Sequence, residues 1–344
     1  MFYKLSTKLL TAATVILAAT VSTTTLSWAN PLEMRISLDT GPAHARNKAM
    51  SKFVEVLSER AAGQLDVKIY GSAQLFKDRD VAKALRQGGI DMAAPGFWYL
   101  GGMVPEATAA MLPVSYGLDQ TASVGALDST VAPFANPLIE AKTRSHVLGG
   151  WLVLGGTSYF SVSKKIATHE DIAGMKMRVP GGSLIAAQAE TLGASTVRVP
   201  FSDLPLALSQ GTVDGFLSSA ESVVSAKLWD AGVKYEFNDN GFYAAYVPLI
   251  SNAFWDKMSP ELREIVVGAW SDTIGAAREA AFASQIKARV VLAEHGVVSV
   301  TPSQDGTVKW RAKMMEKQED LVATMKMDTG FVSSLNAEYK RLSN

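Results

Sequence analysis

Apolar and polar residues alternate over 33–38, which sets Met34, Ile36 and Leu38 on one side of a half-buried strand. The period then changes. Over 43–62, Met50, Phe53, Val54, Leu57 and Ala61 fall on one helical face, and Gly63 stands where such a helix ends. Alternation returns over 65–70 with Leu65, Val67 and Ile69 inward. A short helix follows over 81–87, stopped by Gly88-Gly89, and then a buried strand over 90–94. Strand and helix patterns taking turns predict an α/β fold with largely parallel sheets.

The pattern has an echo. Ala84-Leu85-Arg86-Gln87-Gly88-Gly89-Ile90-Asp91 recurs as Ala207-Leu208-Ser209-Gln210-Gly211-Thr212-Val213-Asp214. Each copy reads as helix end, glycine stop, strand start and Asp, and each follows a strand, a loop and a helix. In the second copy these are 196–199, a loop with Ser202 as helix cap, and 203–210. Two α/β lobes of similar topology are expected. Ligands of open α/β sheets bind beyond the carboxyl ends of the strands. Those ends are Pro95-Gly96-Phe97-Trp98 and Phe216-Leu217-Ser218-Ser219, and two such loops facing each other would enclose a small molecule.

In the C-terminal third, Ser259-Pro260-Glu261 is a helix start with Ser as cap and Pro in the first turn. No further Pro occurs through Glu294. A helix over 261–294 would extend about 50 Å, enough to span both lobes. Two helices with a break near Gly275 are the alternative.

The first thirty residues read differently. Lys4 and Lys8 precede an uncharged run to Val21, and Ser27-Trp28-Ala29 supplies small residues ahead of a cut after Ala29. This is the pattern of a cleaved secretory signal peptide, and its apolar run is shorter than the ~20 residues a membrane span requires. Removing 29 residues from 344 leaves 315, and losing the two lysines leaves 31 basic against 33 acidic groups. With Cys 0, there is no lipid anchor, disulfide, thiol nucleophile or cysteine metal site. Release into a Gram-negative periplasm is the expectation.

The balance of charge, net +0 over the whole chain, lacks the basic footprint of a nucleic-acid binder, and 48% apolar residues exclude a disordered chain. The four histidines His44, His146, His169 and His295 are scattered, with no zinc-binding pair. There is no phosphate-binding glycine loop, dinucleotide fingerprint or nucleophile elbow. No catalytic residue, metal site or cofactor is therefore predicted. The reading is an exported binder, not an enzyme. The alternative is an exported enzyme acting on a small organic acid, since paired carboxylates need no fixed spacing.

The run Asp171-Ile172-Ala173-Gly174-Met175-Lys176-Met177-Arg178-Val179-Pro180 narrows the class. With Leu192-Gly193-Ala194, Phe201-Ser202-Asp203, Gln210 to Gly215 and, earlier, Gly71-Ser72-Ala73-Gln74-Leu75, it resembles the solute receptors of TRAP transporters. These are the tripartite ATP-independent periplasmic systems, and the likeness is to their dicarboxylate-receptor branch. The resemblance implies a periplasmic-binding-protein-like α/β fold, two lobes around a ligand cleft with a long helix spanning both. It places lobe I at 30–154 with 244–284 returning to it, and lobe II at 155–243 with 285–344 returning to it.

It also implies the ligand site. The carboxylate-binding arginine falls on Arg178 and the aromatic that packs on the ligand on Phe201, while first-lobe positions fall at Asp39, Phe97 and Trp98. A guanidinium offers paired donors that match a carboxylate. Two departures stand out: the place of a second family arginine is near Ser158, and a polar pair after the Asp-Gly becomes Phe216-Leu217-Ser218. A pocket that loses one cation and one acid and gains apolar side chains suits a monocarboxylate with an apolar or aromatic part over a compact dicarboxylate or sugar acid. The implied partners are a small organic acid and the membrane permease subunits, with the receptor working as a monomer. A sensor role on the same fold is a further reading.

Overall fold

Two sheets carry the chain, and a two-stranded ribbon joins them. The computed structural model describes residues 30–343, so the expected signal segment lies outside the described residues. In chain order the strands are β1 (Leu32–Ser37), β2 (Leu65–Tyr70), β3 (Met92–Ala93), β4 (Ser145–Val147) and β5 (Leu152–Gly156). Then come β6 (Ser158–Ser161), β7 (Lys176–Val179), β8 (Ser195–Arg198) and β9 (Gly215–Ser218). The last are β10 (Tyr235–Phe237), β11 (Tyr243–Tyr246), β12 (Leu249–Ser251) and β13 (Val298–Val300). The first sheet has the order β2-β1-β3-β12-β4 and the second β13-β10-β6-β9-β7-β8.

The sheets are mixed rather than largely parallel. β1 pairs in parallel with β2 and β3, and β7 with β8 and β9. The strands next to the lobe crossings, β4, β6, β10 and β12, bring in the antiparallel pairs. The chain leaves the first lobe through β5 into β6 and returns from β10 through β11 into β12. β5 and β11 pair antiparallel with a bulge at Ala244/Ala245.

The echo in the sequence is an echo in the fold. Gly88 (φ 68) and Gly211 (φ 63) both take the left-handed conformation that stops the preceding helix. Asp91 Oδ2 accepts the Arg35 backbone N–H at 2.8 Å, and Asp214 Oδ2 accepts that of Lys176 at 2.8 Å. In each lobe the Asp fastens the incoming strand to the parallel strand beside it.

Ser259 caps the helix Pro260–Glu294, its hydroxyl accepting from Leu262 N–H, and 35 residues run without the break allowed near Gly275. This helix packs on the helix Ala45–Ala61 of the first lobe, on β5, and on the helix Ala220–Ser225 of the second lobe. Phe53 meets Trp270 edge-on at 5.4 Å, and Trp270 Nε1 donates to Gly150 O at 3.0 Å. The second lobe has its own smaller core around Phe160 and Phe216, stacked at 5.3 Å, with Ala288 and Leu292 of the long helix against it. After that helix, β13 adds to the second sheet, and the helix Gln304–Met315 keeps contact with the second lobe through Trp310 on His169 at 5.5 Å and Lys309 with Glu170 at 3.1 Å. The helix Thr329–Leu342 packs on Gln120–Ala126 and Leu127–Val131, and the helix Gln304–Met315 on Pro113–Ser115, all first-lobe segments. Of the expected return of 285–344 to lobe II, the end of the long helix and β13 pack on the second lobe, the helix Gln304–Met315 touches both lobes, and the helix Thr329–Leu342 packs on first-lobe segments.

Trp270 joins the long helix to the first lobe through both a ring contact and a hydrogen bond. Trp270→Ala should cost about 3–5 kcal/mol of unfolding free energy in denaturant titration.

Candidate ligand-binding site

The carboxyl ends of both sheets converge on one cavity between the lobes, where ligands of open α/β sheets bind. The first lobe contributes Asp39, Thr40 and His44 after β1, Asp78 at the start of its helix, and Trp98 and Tyr99 after β3. The second contributes Arg178 and Pro180 at the end of β7, Phe201 after β8, and Leu217 to Ser219 at the end of β9. The connecting ribbon adds Leu154, Ala244 and Tyr246. Aromatic and aliphatic side chains dominate the wall, so a charge inside it is poorly screened by water.

Arg178 is 1% exposed. Its Nε donates to Val199 O at 2.8 Å and its Nη1 reaches Leu217 O at 3.4 Å, while Nη2 has no hydrogen-bond partner. The Phe201 ring lies 6.0 Å from its guanidinium carbon. Burial pulls the pKa down to about 10, against the opposing pull of Tyr99, Asp39 and Tyr246, so the group stays charged at neutral pH. No carboxylate of the described residues forms an ion pair with it.

Arg46, a second buried guanidinium, sits behind the first-lobe wall in the opposite situation. It forms ion pairs with Asp39 at 2.5 Å and Asp78 at 2.6 Å, and Tyr246 covers its face at 4.4 Å. Burial disfavours its charge, but Asp78 and Asp39 outweigh that and raise its pKa. Burial pushes Asp78 up to about 7, against the pull of Arg46.

Direct contacts tie the lobes across the cleft. Tyr99 Oη donates to Pro180 O at 3.1 Å, and Lys77 Nζ meets Asp203 at 2.6 Å. The Ala45 N–H, at the start of its helix, donates to Glu221 Oε1 at 2.7 Å, and His44 Nε2 lies 2.9 Å from Ser222 Oγ. Burial pushes Glu221 up to about 7, opposed by the Ala45 N–H and by Lys48 and Arg46. Burial, with Arg46 and Lys48, holds His44 well below its ordinary value, so this histidine is neutral at pH 7.

Of the residues singled out in the sequence, Arg178, Phe201, Trp98, Leu217, Ser218 and Asp39 come together on the cavity wall. Two do not. Phe97 is fully buried in the core behind Trp98, against Trp151 at 5.9 Å and Phe242 at 6.1 Å. Ser158 is fully buried on β6, with its hydroxyl 2.9 Å from Glu236, whose carboxylate pairs with Arg289. Sequence reasoning passed over Asp78, Arg46 and Tyr246. For the first two a signal existed: Asp78 lies three and seven residues before Val81 and Leu85, and Arg46 four and seven before Met50 and Phe53. Helical spacing therefore puts each on a buried face.

Residues 37–324 match the family model of the bacterial extracellular solute-binding proteins of family 7, DctP. A C4-dicarboxylate-binding periplasmic protein of Rhodobacter capsulatus is 25% identical over 72% of this chain and 75% of its own. A sialic acid-binding periplasmic protein of Vibrio cholerae is 26% identical over 75% of this chain and 77% of its own. Among solved structures, the sugar acid binding protein of Advenella mimigardefordensis in complex with galactonate superposes with TM-score 0.85 at 24% identity. That match covers 91% of this chain and 99% of the other. A TRAP periplasmic solute binding protein of Sulfurospirillum deleyianum with bound succinate gives TM-score 0.81 at 22% identity, over 90% and 99%. At these identities the structural matches speak for the fold.

The carboxyl of Glu221 rises from 4.5 to about 7 on burial. A raised folded-state pKa gives stability that is full below about 4.5 and is lost as pH rises through about 7. Between pH 5 and pH 8 the wild type should therefore lose up to about 3 kcal/mol of unfolding free energy relative to Glu221→Gln. Parallel pH profiles of the two proteins would show a carboxylate already ionised in the fold.

Proposed function

The chain belongs to family 7 of the bacterial extracellular solute-binding proteins, and from that premise we propose that it captures an organic acid between its lobes with Arg178 as carboxylate anchor. It is a solute-binding receptor of the TRAP type, and its family consists of receptors, not enzymes. The reading as an exported enzyme therefore falls away. The observation that carries the anchor is the Nη2 of Arg178, a charged donor buried without a partner on the cavity wall. A buried donor left unmatched costs free energy, and a carboxylate would supply two acceptors in the plane of the fork.

The relatives named above bind C4-dicarboxylate or sialic acid, and the structural neighbours hold galactonate or succinate. For this chain the aromatic wall of Trp98, Tyr99, Phe201 and Tyr246 supports a monocarboxylate with an apolar portion. Capture proceeds by closure of the lobes, which takes the ion pair out of water. The loaded receptor, a monomer, then docks on the TRAP membrane permease subunits and releases its ligand there. Export by the N-terminal signal delivers it to the periplasm of a Gram-negative cell.

Replacing Arg178 by Ala tests the anchor. Removing an unpaired buried cation should leave the melting temperature of the ligand-free protein unchanged or higher. Affinity for the acid that co-purifies with the wild type, identified by mass spectrometry after denaturation, should fall at least about a hundredfold in calorimetry. Undiminished affinity in Arg178→Ala would remove the assignment.

A further inference from the structure

The two buried arginines of the cleft are not equivalent, and the difference bears on which acids enter. Every N–H of Arg46 is used. Nε donates to Thr40 Oγ1 at 3.0 Å, Nη1 to Asp78 Oδ2 at 2.6 Å and Ala94 O at 2.9 Å, and Nη2 to Asp39 Oδ1 at 2.5 Å and Thr40 Oγ1 at 2.9 Å. With its face under Tyr246, this guanidinium has nothing left for an incoming anion. One cation set between two carboxylates also makes the cluster negative, not positive. Asp39 and Asp78 both reach the cavity wall, both are 4% exposed, and Asp78 Oδ1 has no hydrogen-bond partner.

The cavity is therefore bipolar. A charged donor without a partner, Arg178 Nη2, belongs to the second lobe, while the first lobe presents an acceptor without a partner, Asp78 Oδ1, and the unpartnered indole N–H of Trp98. From this juxtaposition we infer that Asp78, held by Arg46 and flanked by Asp39, is a specificity-determining residue. It selects a monocarboxylate that also carries a hydrogen-bond-donating group, a hydroxyl or an ammonium, and it rejects dicarboxylates. The inference rests on the reading of Arg178 as the carboxylate anchor. A second ligand carboxylate would meet two like charges in a site with little water to screen them. A hydroxyl or ammonium instead gives the unpartnered oxygen its missing donor. Burial pushes Asp78 upward against the pull of Arg46, with Asp39 adding to the push, as for a carboxylate held out of water beside a like charge.

The test is a matched panel on the full-length mature receptor, stripped of ligand by denaturation and refolding and titrated in a calorimeter at pH 7.5. The probes are unsubstituted monocarboxylates of three to six carbons, their 2-hydroxy, ω-hydroxy and ω-amino derivatives, and the α,ω-diacids of the same lengths. The best donor-bearing acid should bind at least tenfold more tightly than both its unsubstituted parent and its diacid. Whether hydroxy or amino probes win identifies the donor. In Asp78→Asn the preference over the diacid should shrink at least tenfold. The wild-type panel decides the selectivity even if that variant does not fold. Diacids that bind as tightly as the donor-bearing acids, with binding abolished in Arg178→Ala, would overturn this inference and leave the anchor standing. Failure of every acid to bind would overturn the anchor as well. An unchanged preference in folded Asp78→Asn would deny Asp78 the role.

Discussion

A cation buried without a counter-ion is the constraint on which the second lobe turns. Placing the guanidinium of Arg178 out of water costs several kcal/mol unless hydrogen bonds and charge offset it. The protein supplies two backbone carbonyls, at Val199 and Leu217, and among the described residues no carboxylate partner. Those carbonyls reach Arg178 because β7 lies between β8 and β9, with Arg178 opposite Val197 on one side and Phe216 on the other. Met177 and Val179, its neighbours along the strand, are buried on the other face. A slip of one residue would exchange the faces and put the charge in the hydrophobic core. The register of three parallel strands and the position of one charge are the same requirement.

The first lobe treats its own buried cation in the opposite way. Arg46 is saturated by two carboxylates, a hydroxyl and a carbonyl, so its charge is spent in holding the loop after β1 to the helix Asp78–Arg86. The aromatic residues of the cleft serve both arrangements. Tyr246 covers the face of Arg46 and stands 5.7 Å from Trp98, while Phe201 flanks Arg178 and approaches His44 edge-on at 6.2 Å. They exclude water from both charges at once, and the two ends of the cavity keep opposite polarity.

Much of this architecture was legible in the residues. Changes of hydrophobic period gave the strands and helices, and the repeated helix–glycine–strand–Asp joint gave two lobes, because one backbone problem met one solution twice. The lobe on which the last helix, Thr329–Leu342, packs is not legible for a physical reason: an amphipathic pattern says that a face is buried, not against which lobe. Phe97 and Trp98 share one turn, Phe97–Tyr99, whose successive side chains point in different directions, so one enters the core and the other the cleft. Ser158 sits on a strand whose hydroxyl turns to Glu236, away from the cavity. Arg178 alternates with the apolar Met177 and Val179, so the strand pattern alone only turns it away from the core, and the resemblance is what points to a site. Asp78 hid in the charged run Lys77-Asp78-Arg79-Asp80, where only helical spacing from Val81 and Leu85 distinguishes a buried carboxylate from solvated ones.

The long helix limits how such a cleft opens. Gln285, 5% exposed on that helix, donates through Nε2 to Leu154 O on β5 and accepts the Glu221 N–H through Oε1, at 3.1 and 3.0 Å. One side chain thus fastens the connecting ribbon and a second-lobe helix to the same strut. The approach is close: Gly155 takes φ 136, and a Cβ there would lie 2.8 Å from Gln285 Cγ. At Gly156 a Cβ would lie 2.2 Å from Asn240 Oδ1, on the returning segment. The short passages between β5 and β6 and between β10 and β11 connect the lobes, and in the second of them Asn240 holds a left-handed backbone at φ 48. Those passages lie next to the cavity wall, at Thr157 and Phe242, so a rotation there moves the wall itself and couples the width of the cleft to what fills it.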